Sequence, residues 1–143
     1  IQQAYRGLMQ YMLDLRSHFQ KNYPDYDVPA NLYAGYMDMT YFAVIPAFLK
    51  QRRLKVAVVF LHEDFRFEVW LSGYNRQVQA QYWQIIKDAS WQQYQLVENP
   101  LKADSILEHV LVDNPDFSDL AGLTCKIEEG TVRFISDIES FLK

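Results

Sequence analysis

The chain is poor in cysteine, glycine and proline, and each shortage excludes a class of architecture. Cys125 is the only cysteine among 143 residues, so no disulfide can form within the chain. Disulfides are typical of oxidising compartments, and we therefore expect a cytoplasmic protein. Five glycines and five prolines are too few for a loop-rich or all-β architecture, which needs many tight turns.

Long hydrophobic runs and targeting signals are also missing. No apolar run approaches the roughly 20 residues that a membrane-spanning helix needs. The first residues lack the charged region, apolar stretch and small-residue cleavage site of a secretory signal, because Arg6, Asp14 and Arg16 interrupt the opening helix. We therefore expect no membrane partner.

The composition that remains is globular and rich in aromatic rings. Half of the residues are hydrophobic, 15% are aromatic and 22% are charged, a balance that favours a packed core over disorder. The net charge is −4, and residues 91–143 carry ten Asp and Glu against four Lys and Arg. A global nucleic-acid binder is normally basic, so this charge argues against nucleic acid as a partner.

The clearest structural signal is a change of hydrophobic period at Gly73. Val56–Leu61 is a continuous apolar run, and the apolar residues of 65–71 then alternate with polar ones, which predicts two strands joined by a tight turn. After Gly73 the apolar spacing becomes that of an amphipathic helix. Asn75 is the expected N-cap of that helix.

The same patterns predict one α+β domain over residues 1–143, with a mainly antiparallel sheet of three to four strands flanked by helices. The expected order is α-β-β-β-α-β-α-α. We predict strands over residues 36–43, 55–62, 65–72 and 94–97, a loop over 23–32, and helices over 4–21, 76–89, 104–111 and 119–142. Gly130, inside the last helix, predicts a kink or a close crossing. Basic residues cluster only at 50–55.

Arg66, Glu68 and Trp70 form the main candidate site, because they share one face of the third predicted strand. Charges inside an apolar segment need partners if they are buried. Asp38, on the first predicted strand, would pair with Arg66 or share a divalent ion with Glu68. The simpler interpretation is a half-exposed sheet face with ion pairs between strands.

Asn75 and Arg76 form a second candidate site, at the start of the helix that follows Gly73. A helix start presents free backbone N–H groups and the positive end of the helix dipole, and Arg76 adds a charge that suits a phosphate or carboxylate. Ordinary turn and capping chemistry is the simpler interpretation.

Catalytic and metal-binding signatures are missing, so we predict no catalytic residue, no metal ligand and no cofactor. Residues 62–64, His-Glu-Asp, are consecutive and cannot all face one ion. His18 and His109 lie in helix patterns without ligand spacing. No phosphate-binding glycine loop, zincin motif or nucleophile elbow is found.

The element order invites comparison with metal-dependent nucleases of the restriction-endonuclease-like class. Those enzymes need an upstream acid and a Glu or Asp two positions before a Lys, to hold Mg²⁺ and orient a water. Here Val69 and Trp70 follow Glu68, so the lysine is absent, and Asp38 is left as the upstream acid. This alternative is therefore a diverged and inactive metal-dependent hydrolase.

Three stretches together resemble a known family: GYMDMTYF at residues 35–42, FRFEVWLSGYN at 65–75 with QAQYW after it, and SILEHVLVDNPDFSDL at 105–120. The family comprises small single-domain bacterial proteins and is known only as a domain of unknown function. The resemblance covers almost the whole chain, from Ala4 to Leu142. It implies an intact single domain and carries over no activity, cofactor or catalytic residue.

The functional expectation is therefore a non-catalytic module that binds a small ligand or a protein partner. Its surface would be the sheet face around Asp38, Arg66, Glu68 and Trp70. Whether the chain is an enzyme stays open, with the diverged hydrolase as the alternative. The sequence does not set the oligomeric state.

Overall fold

A seven-stranded antiparallel sheet is the centre of the fold. The computed structural model describes residues 2–35 and 38–143, and these contain four helices and seven strands. The helices are α1 (Gln2–Asn22), α2 (Ala47–Gln51), α3 (Arg76–Asp88) and α4 (Leu120–Leu142). The strands are β1 (Tyr26–Asp27), β2 (Tyr33–Gly35), β3 (Met39–Pro46), β4 (Leu54–Leu61), β5 (Arg66–Gly73), β6 (Gln95–Leu96) and β7 (Leu107–Asp113).

The strand order is β1-β3-β4-β5-β7-β6, and β2 also pairs with the outer edge of β3. All of these pairs are antiparallel. The predicted α+β class and antiparallel sheet are confirmed. The predicted strand count and order were wrong in detail, because short strands form at 26–27 and 33–35 and a further strand replaces a predicted helix. The first predicted strand began at Tyr36, but Tyr36 and Met37 lie outside the described residues.

Residues 107–113 form a strand, so the helix predicted over 104–111, and with it the helical placement of His109, was wrong. Strand β7 pairs with β5, but the register shifts between Phe67 and Glu68, and Leu111 is the extra residue. This bulge breaks the two-residue alternation. Before the bulge, polar His109 faces α4 and apolar Val110 lies on the opposite face, so the apolar residues at 106, 107, 110 and 111 show a helix-like spacing in the sequence.

One face of the sheet packs against α1 and α4. Phe19 of α1 contacts Phe42 of β3, and Phe134 of α4 lies over His109 of β7. The residues of the three central strands on this face are all buried: Phe42, Val44, Val56, Val58, Phe60, Phe67, Val69 and Leu71. Within the described part of the chain, no helix is long and apolar enough to cross a bilayer.

The opposite face, called the polar face below, carries the alternate residues of the same strands. Strand register places the following side chains on it: Tyr41, Lys55, Ala57, Val59, Arg66, Glu68, Trp70, Ser72 and Glu108. Three of the six sequence-predicted site residues, Arg66, Glu68 and Trp70, therefore lie on the side of the sheet away from α1 and α4.

Two glycines allow close contacts that a side chain would disturb. A Cβ at Gly73 would lie 2.5 Å from the backbone nitrogen of Gln79, so the end of β5 can approach the start of α3 only without one. A Cβ at Gly130 would lie 2.5 Å from a methyl group of Leu111. The close approach predicted at Gly130 is therefore present, with β7 rather than another helix.

Candidate functional site

Arg66, Glu68 and Trp70 form a hydrogen-bonded cluster along β5. The Arg66 Nε atom donates to Glu68 Oε2 at 2.5 Å, and the Trp70 indole N–H donates to Glu68 Oε1 at 2.8 Å. The Glu68 side chain is only 3% exposed, whereas that of Arg66 is 34% exposed. The ion pair thus forms within one strand, between residues two apart, whereas the sequence led us to expect ion pairs between strands.

This cluster makes Glu68 a structural anchor on the polar face. Both carboxylate oxygens accept a hydrogen bond, so the buried charge is compensated. The hydrogen bond to Glu68 raises the pKa of Arg66 above its ordinary value. Trp70 is held with its indole nitrogen directed at Glu68, which fixes the orientation of the ring.

Glu108 lies beside this cluster, across the ladder from Trp70. Burial raises the pKa of its carboxyl, although a 2.5 Å hydrogen bond from the Ser105 hydroxyl acts in the opposite direction. The charge of Glu68 raises the Glu108 pKa further. The polar face therefore holds two neighbouring carboxyl groups, and of the groups that the structure describes, the guanidinium of Arg66 bonds Glu68 alone.

Asp38 is not brought into this cluster. It is exposed, it lies in the turn before β3 with φ of 61°, and its carbonyl accepts from the backbone N–H of His62. Thr40 and Phe42, at the alternate positions after Asp38, point to the face that packs on α1. Neither the predicted pairing of Asp38 with Arg66 nor a shared ion with Glu68 has support in this geometry.

A cavity of about 510 Å³ opens on the polar face next to the cluster. Its floor and walls come from β3, β4 and β5 and from the start of α3. The lining residues are Met39, Tyr41, Lys55, Ala57, Val59, Trp70, Ser72, Gly73, Tyr74, Asn75, Arg76, Gln79 and Asp104. Of the six sequence-predicted residues, Trp70, Asn75 and Arg76 line this cavity, and Arg66 and Glu68 fix its Trp70 wall.

The start of α3 forms one end of the cavity. Asn75 is the N-cap, as predicted, and its side chain accepts from the Val78 backbone N–H at 2.9 Å. Arg76 donates to the carbonyl oxygen of Ala103 and lies 3.7 Å from the Asp104 carboxylate. The Arg76 guanidinium therefore holds the 100–104 loop against the helix.

Gln79 strengthens the same junction from inside the cavity. Its side-chain amide donates to the carbonyl oxygens of Pro100 and Ala103 at 2.9 and 2.8 Å, and its carbonyl accepts from the Gly73 N–H. Gln79 is only 3% exposed. The cavity end is thus built from a polar network whose groups are paired.

Lys55 and Tyr41, on the floor and wall, were not among the predicted site residues. Among the residues that the structure describes, no hydrogen bond or ion pair engages the ammonium of Lys55 or the hydroxyl of Tyr41. Burial, and next the neighbouring Tyr33, raise the pKa of Tyr41. The basic cluster at residues 50–55 was a signal for Lys55, but only the register of β3, β4 and β5 places Lys55 and Tyr41 around one cavity.

Metal-binding potential is low in the part of the chain that the structure covers. No group of three or more His, Cys, Asp or Glu side chains is placed there to hold an ion. His62 instead bonds the Thr40 hydroxyl at 2.8 Å.

A second cavity, of about 540 Å³, lies near the β4–β5 turn and is mainly apolar. Its lining residues are Gly7, Leu8, Tyr11, Phe60, His62, Phe65, Phe117 and Leu120. None of the six predicted site residues lines it.

Comparison with known proteins assigns the chain to a family but does not assign it an activity. No curated protein and no solved structure matches it. A family model described as a domain of unknown function, DUF7000, matches residues 1–142, which confirms the resemblance noted in the sequence, and the chain therefore belongs to the DUF7000 family.

Proposed function

We propose that this chain is a non-catalytic module that binds a small molecule in the cavity on the polar face. The observation that carries the proposal is the cavity of about 510 Å³ between Trp70, Tyr41 and the start of α3. Ligand pockets typically have volumes of about 300–1,000 Å³ and combine an apolar lining with a few placed polar groups. This cavity has both properties.

The rigidity of the cavity walls supports binding rather than simple packing. The Trp70 ring is fixed by Glu68, and Arg76 and Gln79 tie the helix start to the 100–104 loop. A preformed pocket loses less conformational freedom on binding, which favours affinity. The ammonium of Lys55, in contrast, has no partner in the described part of the chain and is left for a ligand.

The alternative of a diverged nuclease has less support. It would use Glu68 as a metal ligand, but both oxygens of that carboxylate already accept hydrogen bonds from Arg66 and Trp70. It would also use Asp38, which lies in a turn outside the cavity lining. An ion at Glu68 would have to displace its ion pair with Arg66.

The proposal is tested by a fragment screen with ¹H–¹⁵N correlation spectra of the full chain. Supporting hits shift the Trp70 indole signal and the backbone signals of the α3 start. Ala57→Leu should abolish these hits, because Ala57 lies in the floor and a larger side chain projects into the cavity between its walls.

Ala43→Leu is the matched control for this screen. Ala43 pairs directly with Ala57 and is similarly buried, at 8% against 7% exposed, but does not line the cavity. It should leave the hits unchanged. Hits confined to the apolar cavity near the β4–β5 turn, or no hits at all, would overturn the proposal.

Two further expectations about the module stay predictions. The cytoplasmic location is inferred from the single cysteine, whose thiol is exposed and free. The bacterial source is inferred from the family resemblance alone.

A further inference from the structure

We infer that the ligand of the polar-face cavity is a small planar aromatic molecule that carries a phosphate or carboxylate group. This inference rests on the proposed function and names the class of ligand for the same cavity. Two observations carry it: the distribution of charge around the cavity, and the arrangement of two aromatic side chains across its floor.

The charge around the cavity is positive, although the whole chain carries −4. Lys55 and Arg76 line the cavity, and among the described residues Asp104 is the only acidic one that does so. Asp104 lies 3.7 Å from Arg76, which offsets its charge. The half-buried ammonium of Lys55 has no counter-ion among the described residues, so an anionic ligand would supply the missing partner.

Neighbouring groups strengthen the preference for an anion. The Arg53 guanidinium lies 5.2 Å from the centre of the Tyr74 ring, and Tyr74 itself lines the cavity. The α3 start, capped by Asn75, adds the positive end of a helix dipole. These charges lie around Lys55 at one end of the cavity, where the anionic group of the ligand would bind.

The rest of the cavity suits a flat ring. Tyr41 and Trp70 stand on β3 and β5, which are separated by β4 and hence by about 10 Å at ordinary strand spacing. The β4 residues between them are small, Ala57 and Val59, and they leave the space above the floor open. Aromatic walls bind planar molecules by stacking or edge contacts.

Both walls are held in place. Tyr41 stacks on Tyr33, with ring centres 5.2 Å apart and planes inclined by 22°, and Trp70 is fixed by its hydrogen bond to Glu68. The hydroxyl of Tyr41 has no partner among the described side chains. It would therefore be available to hydrogen-bond the ligand.

The test compares matched probes that differ in charge. The pairs are AMP and adenosine, phenyl phosphate and phenol, and indole-3-acetate and 3-methylindole. Each is titrated into the ¹⁵N-labelled full chain, and the Trp70 indole and α3 backbone signals are followed. We expect the anionic member of at least one pair to bind at least about tenfold more tightly than its neutral partner, which is the effect of about 1.4 kcal/mol.

Variants of Lys55 assign that preference to the cavity. Lys55→Met should weaken the preferred anion about tenfold and leave its neutral partner unchanged, while Lys55→Arg should retain most of the affinity. Lys126→Met, which removes the same charge from the exposed surface of α4, should have no effect.

The outcomes separate this inference from the proposed function. If neutral members bind the cavity as well as anionic ones, or if Lys55→Met and Lys126→Met behave alike, the inference is overturned and the ligand-binding module stands. If no probe and no fragment perturbs the cavity signals, both are overturned. The aromatic part of the inference would also be overturned if inorganic phosphate alone bound as tightly as the best aromatic anion.

Discussion

Removing Arg66 and removing Glu68 should destabilise the protein by clearly different amounts. In Arg66→Met, the Glu68 carboxylate stays 3% exposed and loses its counter-ion, keeping only the indole N–H of Trp70. In Glu68→Met, the remaining charge belongs to Arg66, whose side chain is 34% exposed and can turn to water. The loss of folding stability therefore depends on which of the two charges remains without its partner.

The sizes of these stability losses follow from how deeply each charge is buried. Breaking a buried ion pair so that one charge is left uncompensated costs about 3–5 kcal/mol, so Arg66→Met should lie near the lower end of that range. Glu68→Met removes the buried charge and leaves the Trp70 donor unpaired, for about 1–2 kcal/mol. In the double variant no buried charge remains, and we expect it to be more stable than Arg66→Met by about 2 kcal/mol.

Urea unfolding of the wild type and these three variants measures the differences, with equal m-values as the check on two-state behaviour. Equal losses for Arg66→Met and Glu68→Met, or a double variant less stable than Arg66→Met, would refute the burial of the Glu68 carboxylate under its two donors.

Three further outcomes are expected from urea unfolding. Gly73→Ala should destabilise the protein by about 1–3 kcal/mol, because the new Cβ meets backbone atoms. Gly130→Ala should change stability by less than about 1 kcal/mol, because its Cβ meets only a side-chain methyl and the substitution gains helix propensity. Similar losses of stability in the two variants would contradict this reasoning. Burial lowers the pKa of His109, so the contribution of His109 to stability should fall as the pH drops below 6.5, and the stability difference between wild type and His109→Gln should shift against the wild type over that range. Burial raises the pKa of Glu108, so the contribution of Glu108 to stability should fall as the pH rises above 4.5, and a stability difference between wild type and Glu108→Gln that does not change with pH would be evidence against this.

The central hairpin and the helix after it were predictable because their signals are local. The alternation over 65–71, the tight turn and the period change at Gly73 each depend on neighbouring residues, and so does the Asn75 cap. The grouping of Arg66, Glu68 and Trp70 was also local, since residues two apart on a strand share a face. These features appear in the structure close to their predicted bounds.

The features that failed depend on pairing between distant segments. Strand β7 was predicted as a helix because polar His109 faces the core and apolar Val110 faces away from it, and only the pairing of β7 with β5 sets these faces. Asp38 was assigned to the site although it precedes a segment whose Thr40 and Phe42 face α1. Lys55 was visible only as part of a basic cluster, because its position beside Tyr41 and Trp70 requires the register of three strands.

The composition of β4 connects the fold with the proposed site. Apart from Lys55, its residues are apolar on both faces, which is typical of a strand covered on both sides. On the polar face, Ala57 and Val59 are 7% and 1% exposed, and the residues opposite them on β5 are Trp70 and Glu68. Long side chains of the flanking strands therefore enclose a floor of small ones, and this difference in side-chain length creates the cavity. A larger residue in the floor should leave the sheet intact and remove the space for a ligand, which is why Ala57→Leu separates binding from folding.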